Sequence, residues 1–327
     1  MTAPMADGND IATEVIADQG DLFLIVGDKK KAKLRVSSAM LKGTSAVFAA
    51  MLGPHFQEGQ GTCSAESPKE ISFPDDDAIA MSDMCNLLHH KTPKELAGFP
   101  VSKTIVAVAV VIDKYACHEA LRLQGQALLL GWLSHQGNLL KGLIPCSWCL
   151  MACAAYLFDH TASFRTFTNR LVTECFTPCS TLLKDKQCMI LPLPVFQRQG
   201  AQRRISGALP VLGAPTCSLT SNPCRPFYDD AFARTITAAF KLDYWPPAFD
   251  ENNSIAAAIT TIKGIGDLSR KPTGCDHTLG HKTMVTAAEF IDLATSVEKG
   301  CEGLCLQCVK EGVLDLGTKC ARKEHAS

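Results

Sequence analysis

The sequence lacks an excess of charge of either sign: 32 Lys and Arg oppose 33 Asp and Glu, leaving a net charge of −1 at pH 7. No global field therefore draws the chain to nucleic acid or to an anionic membrane. A long hydrophobic run is also missing. The apolar uncharged stretch at residues 142–158 contains Pro145 and falls short of the roughly 20 residues that cross a bilayer. It reads as a buried helix, and no membrane association is expected. The opening Met1-Thr2-Ala3-Pro4, followed by Asp7, Asp10, Glu14 and Asp18, has neither an early cation nor an apolar centre, so it is not a secretory signal. Sixteen cysteines without such a signal are expected to be reduced thiols of the cytoplasm or nucleus, not a disulfide framework.

Signatures of catalysis are absent as well. Gly264-x-Gly266 lacks a third glycine and a following Lys-Ser/Thr, so it is not a phosphate-cradling loop. There is no Gly-x-Ser-x-Gly elbow and no His-Glu-x-x-His pair. The expectation is a protein that is not an enzyme.

What is present is concentrated in residues 20–121. Leu22, Phe23, Leu24, Ile25 and Val26 have the β-branched and aromatic bias of a strand. Gly27-Asp28-Lys29 supplies turn residues, and Ala32-Lys33-Leu34-Arg35-Val36 alternates apolar with cationic, which predicts a hairpin. Ser45 is a fitting N-cap for a short helix ending near Met51, with Val47, Phe48, Met51 and Leu52 on one face. Lys69-Glu70-Ile71-Ser72-Phe73 reads as a third strand. Asp75-Asp76-Asp77 precedes the apolar positions Ile79, Met84, Leu87 and Leu88, and suits a helix N-terminus better than a metal cluster. His89-His90 closes that helix, and residues 105–112 are almost wholly apolar, as in a helix buried on all sides or covered by a partner.

Elsewhere the pattern is helical or irregular. Residues 1–19 are polar and acidic and are expected to be a flexible tail. Residues 123–183 read as a helical extension, in which Phe164, Phe167, Leu171, Val172 and Cys175 keep amphipathic spacing. Residues 184–227, punctuated by proline and carrying Arg198, Arg203 and Arg204, read as a linker. Residues 228–327 form a C-terminal helical region, in which Thr286-Ala287-Ala288-Glu289 is a capping box.

The ordered set of hairpin, capped short helix, third strand and further helices resembles a BTB/POZ domain. Leu-Arg-Val-Ser-Ser-Ala-Met-Leu closing the hairpin and Ser-Ala-Val-Phe-Ala-Ala-Met-Leu as the first helix carry the resemblance. So does the later string containing Asp113, Lys114, Tyr115 and Ala116. The resemblance covers residues 20–122 and implies an α+β fold, a small sheet flanked by helices, followed by a mainly α-helical region. One departure is Ser37, where many members carry a histidine in the second strand. The family's mode of action implies a protein–protein interaction module that self-associates, as a homodimer, through the strand at 21–26 and the helix at 45–52. Phe23, Phe48 and Met51 are the structural or interface positions of that surface. Some members are adaptors for cullin ubiquitin ligases, which makes a cullin a further expected partner, although the usual later substrate module is missing.

The strongest chemical signal lies at the C-terminus. Cys305-Leu-Gln-Cys308 is followed after eleven residues by Cys320 and after four more by His325. Two thiols at that spacing form a knuckle for one ion, and a further thiolate–imidazole pair completes a tetrahedral zinc site. Cys275, His277, His281 and Cys301 could substitute for some of these ligands. The alternative function is thus a zinc-dependent regulator binding nucleic acid through this cluster, against which stand the near-neutral charge and the missing finger pattern. Cys146-Ser147-Trp148-Cys149 has the spacing of a redox pair, but its apolar helical flanks favour core cysteines. No other cofactor is expected.

Overall fold

The computed structural model describes residues 13–28, 31–61, 64–98, 100–139, 147–175, 182–192, 195–196 and 303–312, with isolated positions from 256 to 320. The Arg198, Arg203 and Arg204 cluster, the capping box at 286–289 and His325 lie outside the described residues. So do Cys275, His277, His281 and Cys146. The chain divides into two compact units: residues 1–143 with 153–163, and residues 144–152 with 164–327.

The first unit is built on a mixed four-stranded sheet, in the order β1-β3-β2-β4. The strands are β1 (Thr13–Val15), β2 (Leu22–Val26), β3 (Ala32–Val36) and β4 (Lys69–Phe73). Alternation sends Leu22, Leu24 and Val26 of β2 into the core, with Leu34 and Val36 of β3 and Ile71 and Phe73 of β4. Register keeps these layers together: Leu24 lies opposite Leu34 on the antiparallel side and opposite Ile71 on the parallel side. Gly27, at φ 89, makes the left-handed turn out of β2. On the other face Phe23 is half-buried, with the Lys33 ammonium 4.3 Å from its ring centroid.

Part of the expected tail belongs to this sheet. β1 pairs in parallel with β3, Glu14 opposite Leu34, and Ile16 is 1% exposed. Glu14 is fixed from within, accepting hydrogen bonds from Ser82 Oγ at 2.6 Å and Asn86 Nδ2 at 2.9 Å. Residues 13–16 of the expected tail are thus part of the sheet and its core.

Where one short helix was expected after the hairpin, two are found. Ser37 caps α1 (Ser38–Thr44) and Ser45 caps α2 (Ala46–Met51), each hydroxyl accepting a backbone N–H three residues on. Asp21 ties the start of α1 to β2: its two oxygens accept from the Ser38 N–H at 2.7 Å and the Ser38 hydroxyl at 2.6 Å. Burial works to raise the Asp21 carboxyl, but the Ser38 hydrogen bonds win and hold it below the usual carboxylate range.

Helix α3 (Ala78–Leu88) is capped by Asp77, whose side chain accepts the Ala80 N–H. Asp76 instead anchors α4 (Ser102–Lys114), accepting from Lys114 Nζ and from the Tyr115 hydroxyl, each at 2.6 Å. Burial together with that carboxylate pushes the Tyr115 phenol well up. Tyr115 stacks on Phe48, ring centroids 4.6 Å apart, and both rings meet Phe73 edge-on. Of the two alternatives expected for it, structural or interface, Phe48 takes the structural one: it is a core residue at 0% exposure, its ring used up in the packing of α2, α4 and β4. Met51 and Phe23 are half-buried. Helix α4 is not buried all round either, since Val110 is 39% exposed while Ile105, Val106, Val108, Ala109, Val111 and Ile112 are inside.

Helices α5 (Arg122–Leu139), α6 (Ser147–Leu157) and α7 (Thr161–Thr173) follow. Phe164, Phe167, Leu171 and Val172 are buried at the expected helical spacing, and Trp148 lies 6.3 Å from Phe167. Cys149 is fully buried in α6. The last described helix is α8 (Leu306–Lys310). The class is α+β, and among the described residues no helix is long and apolar enough to cross a membrane.

Candidate metal centre

The site lies in the second unit and starts from a segment that a glycine allows to dock. A Cβ on Gly303 would come within 1.8 Å of the Arg165 carbonyl oxygen, so only glycine lets the chain lie this close to α7. Two α7 side chains hold it there. Thr168 Oγ1 accepts the Leu304 N–H at 2.8 Å and donates to the Phe164 carbonyl. Asn169 Nδ2 donates to the Cys301 carbonyl. Thr168 is itself 1% exposed, so the contact is made in a dry environment where a hydrogen bond is costly to lose.

This anchoring places Cys305 at the N-cap of α8, with the Val309 N–H bonded to its carbonyl at 3.1 Å, and the turn of α8 carries Cys308 back toward it. Cys320 arrives from farther along the chain. The sulfurs of Cys305, Cys308 and Cys320 all lie within 4.8 Å of one another, Cys305 buried and the other two half-exposed. Cys308 Sγ and Cys320 Sγ are 3.5 Å apart. Burial, then the neighbouring sulfurs of Cys320 and Cys305, pushes the Cys308 thiol up to about 12.

Three of the four residues that the sequence singles out are thus brought together. Cys301 is buried beside them in sequence but is not one of the three that converge. The supporting residues Arg165, Thr168 and Asn169 carry no local signal in the sequence, because hydroxyl and amide side chains on a helix are ordinary.

The donor set suits a soft or borderline cation. Zn–S bonds of about 2.3 Å in a tetrahedron put sulfurs about 3.8 Å apart, close to the 3.5 Å between Cys308 and Cys320. A cation would compensate the mutual repulsion that makes three adjacent thiolates unfavourable without one. The cluster can hold a metal ion. Outside the cluster, the thiols of Cys85 and Cys117 are fully buried in the first unit; burial pushes both up, Cys117 to about 11, as suits packed core cysteines. No family model, curated protein or solved structure matches this chain.

Proposed function

We propose that the chain is a non-enzymatic protein-interaction module of BTB/POZ type, with a structural zinc ion in its C-terminal part. The observation that carries the reading is the order of the first unit. A β2–β3 hairpin is followed by the paired short helices α1 and α2, and β4 then returns parallel beside β2, ahead of α3 and α4. Such a unit acts through apolar surface and main-chain pairing. The half-buried Phe23 and Met51 are the positions through which a second copy would dock. A cullin is a further partner that the family resemblance suggests, and a pull-down recovering none removes that partner alone.

Light scattering on the full-length protein tests self-association. A mass of twice the 35.2 kDa chain is expected. A strict monomer at high concentration would remove the homodimer.

Zinc is the second part of the reading, favoured by the convergence of Cys305, Cys308 and Cys320. His325 is the fourth ligand that the spacing offers. Native mass spectrometry before and after chelation decides it: one bound zinc lost on chelation is expected, and a protein that takes up no zinc ends the idea. The site's expected work is to fix the segment around α8, since metal bound only by the folded state stabilises that state.

A further inference from the structure

We propose that Cys308 and Cys320 also form a reversible disulfide, so that metal and disulfide are alternative states of one site. The disulfide follows from the sulfur positions alone; its exclusion by metal rests on the zinc reading above.

Two independent observations single out this pair. The first is proximity: the sulfurs stand 3.5 Å apart, and a bond of about 2.05 Å asks them to close the remaining gap by side-chain rotation. The second is access. Of the ten described cysteines, eight are buried, while Cys308 and Cys320 are both half-exposed. Among the described cysteines, the two that a small oxidant can reach are therefore two that already touch. Core cysteines such as Cys85, Cys149 and Cys188 lack the second property, since burial shields them from oxidant.

The co-reactant is a hydroperoxide, for which hydrogen peroxide is the simplest probe. One sulfur, once deprotonated to the thiolate, attacks a peroxide oxygen and breaks the O–O bond, giving a sulfenic acid and a hydroxide that takes up the thiol's proton as water. The second sulfur attacks the sulfenic sulfur, forming the S–S bond and releasing a second water. Two thiols lose two electrons and two protons in all, and the peroxide is reduced to two waters. A dithiol reductant returns both thiols by exchange, being itself oxidised to a disulfide. With zinc bound, the sulfur lone pairs are engaged by the metal, so the same attack is suppressed.

Cys305 has a distinct place in this arrangement. Its sulfur also lies within 4.8 Å of both others, but at 6% exposure it is shielded from oxidant, so it remains as the reduced thiol while the outer pair is linked. The disulfide ties Cys320 to α8 as the metal would, but by a covalent bond that depends on oxidant and not on zinc supply. The site would hold the same two segments together under either condition.

The test uses the full-length protein, reduced, stripped of metal by chelation and then exposed to hydrogen peroxide, with and without prior loading with zinc. Thiols are trapped by alkylation after denaturation, and the peptides are mapped by mass. In the metal-free protein a linked pair of peptides holding Cys308 and Cys320, lighter by two hydrogens, is expected. Zinc loading is expected to lower its yield roughly 10-fold. Cys308→Ser and Cys320→Ser should each remove the link; should either fail to fold, the wild-type map decides alone. Zinc uptake without the link overturns this proposal and leaves the zinc reading standing. A link that forms equally with and without zinc overturns the alternation, and a link that pairs either cysteine at random with others overturns the proposal outright.

Discussion

Ser37 donates its backbone N–H to Nε2 of His89 at 3.1 Å, while Nδ1 of the same ring stands 2.7 Å from the carbonyl oxygen of Cys85. A carbonyl only accepts, so Nδ1 carries the proton and Nε2 is bare. The ring is neutral by construction, clasping the end of α3 to the start of α1. A proton added at Nε2 would face another N–H.

Stability should therefore depend on pH at this clasp. Burial, with Lys91 and His90 nearby, holds His89 below its ordinary value, against the opposing hydrogen bond to Cys85. An unfolded histidine titrates near 6.5. Below that pH the unfolded chain takes up a proton that the folded clasp refuses, so the contribution is full above about 6.5 and declines as the pH falls. His160, also held low by burial and accepting the Ser163 N–H at 3.2 Å, acts with the same sign. Thermal unfolding of His89→Phe should show a loss of ~1–3 kcal/mol at neutral pH and a shallower slope in acid. A variant retaining the whole wild-type slope would count against the clasp.

Asp83 of α3 predicts the opposite trend. Its side chain is buried, and Oδ2 has no hydrogen-bond partner among the described residues. Burial, then the charges of Glu95, Glu14 and Asp77, pushes its carboxyl up to about 7. The folded state here holds a proton that the unfolded chain releases near 4. The contribution is full below that value and is lost as the pH rises through about 7. Asp83→Asn should gain ~1–2 kcal/mol at mildly alkaline pH and little near pH 5, as read by denaturant unfolding at both.

Core and contact positions separate by substitution. Phe48→Ala should cost ~3–5 kcal/mol, because it empties the stack against Tyr115 and Phe73. Phe23→Ala, at a half-buried site on the outer sheet face, should cost about 1 kcal/mol or less in a monomer. It should instead lower the dimer population measured by light scattering. Equal losses of stability at the two sites would place Phe23 in the core as well.

At the metal centre, Gly303→Ala drives a methyl into the Arg165 carbonyl and should lift the segment from α7. Zinc affinity should fall ~10–100-fold, the range for losing support behind a ligand shell. Thr168→Val, which removes the acceptor of the Leu304 N–H, should act in the same direction. Titration against a chromophoric chelator reads both, and unchanged affinity in both would separate the docking from the site.

Much of the first unit is legible in residue order because its signals are local. The apolar, β-branched and aromatic run of Leu22 to Val26, the period-2 alternation of Ala32 to Val36, the Ser45 cap and the Asp77 cap are each read within a few positions. Helix α1 is not, because Ser37-Ser38-Ala39-Met40 continues the hairpin's polar end and its cap is indistinguishable from a turn serine. Strand β1 is hidden for a different reason: three residues in an acidic segment become a strand only through parallel pairing with β3. The Cys305–Cys308 spacing can be read directly. The support from Asn169 and Thr168 reaches across 132 and 136 positions, and no local pattern encodes it.

The parallel placement of β1 also bears on how the molecule can be cut. Removing everything ahead of Gly20 would strip Thr13–Val15 from β3 and leave the amide and carbonyl row of that strand bare to solvent. Bare rows of this kind recruit strands from other molecules without regard to function. A truncated chain would then clump, and the clumping would imitate the association that the intact protein is proposed to achieve through a different surface.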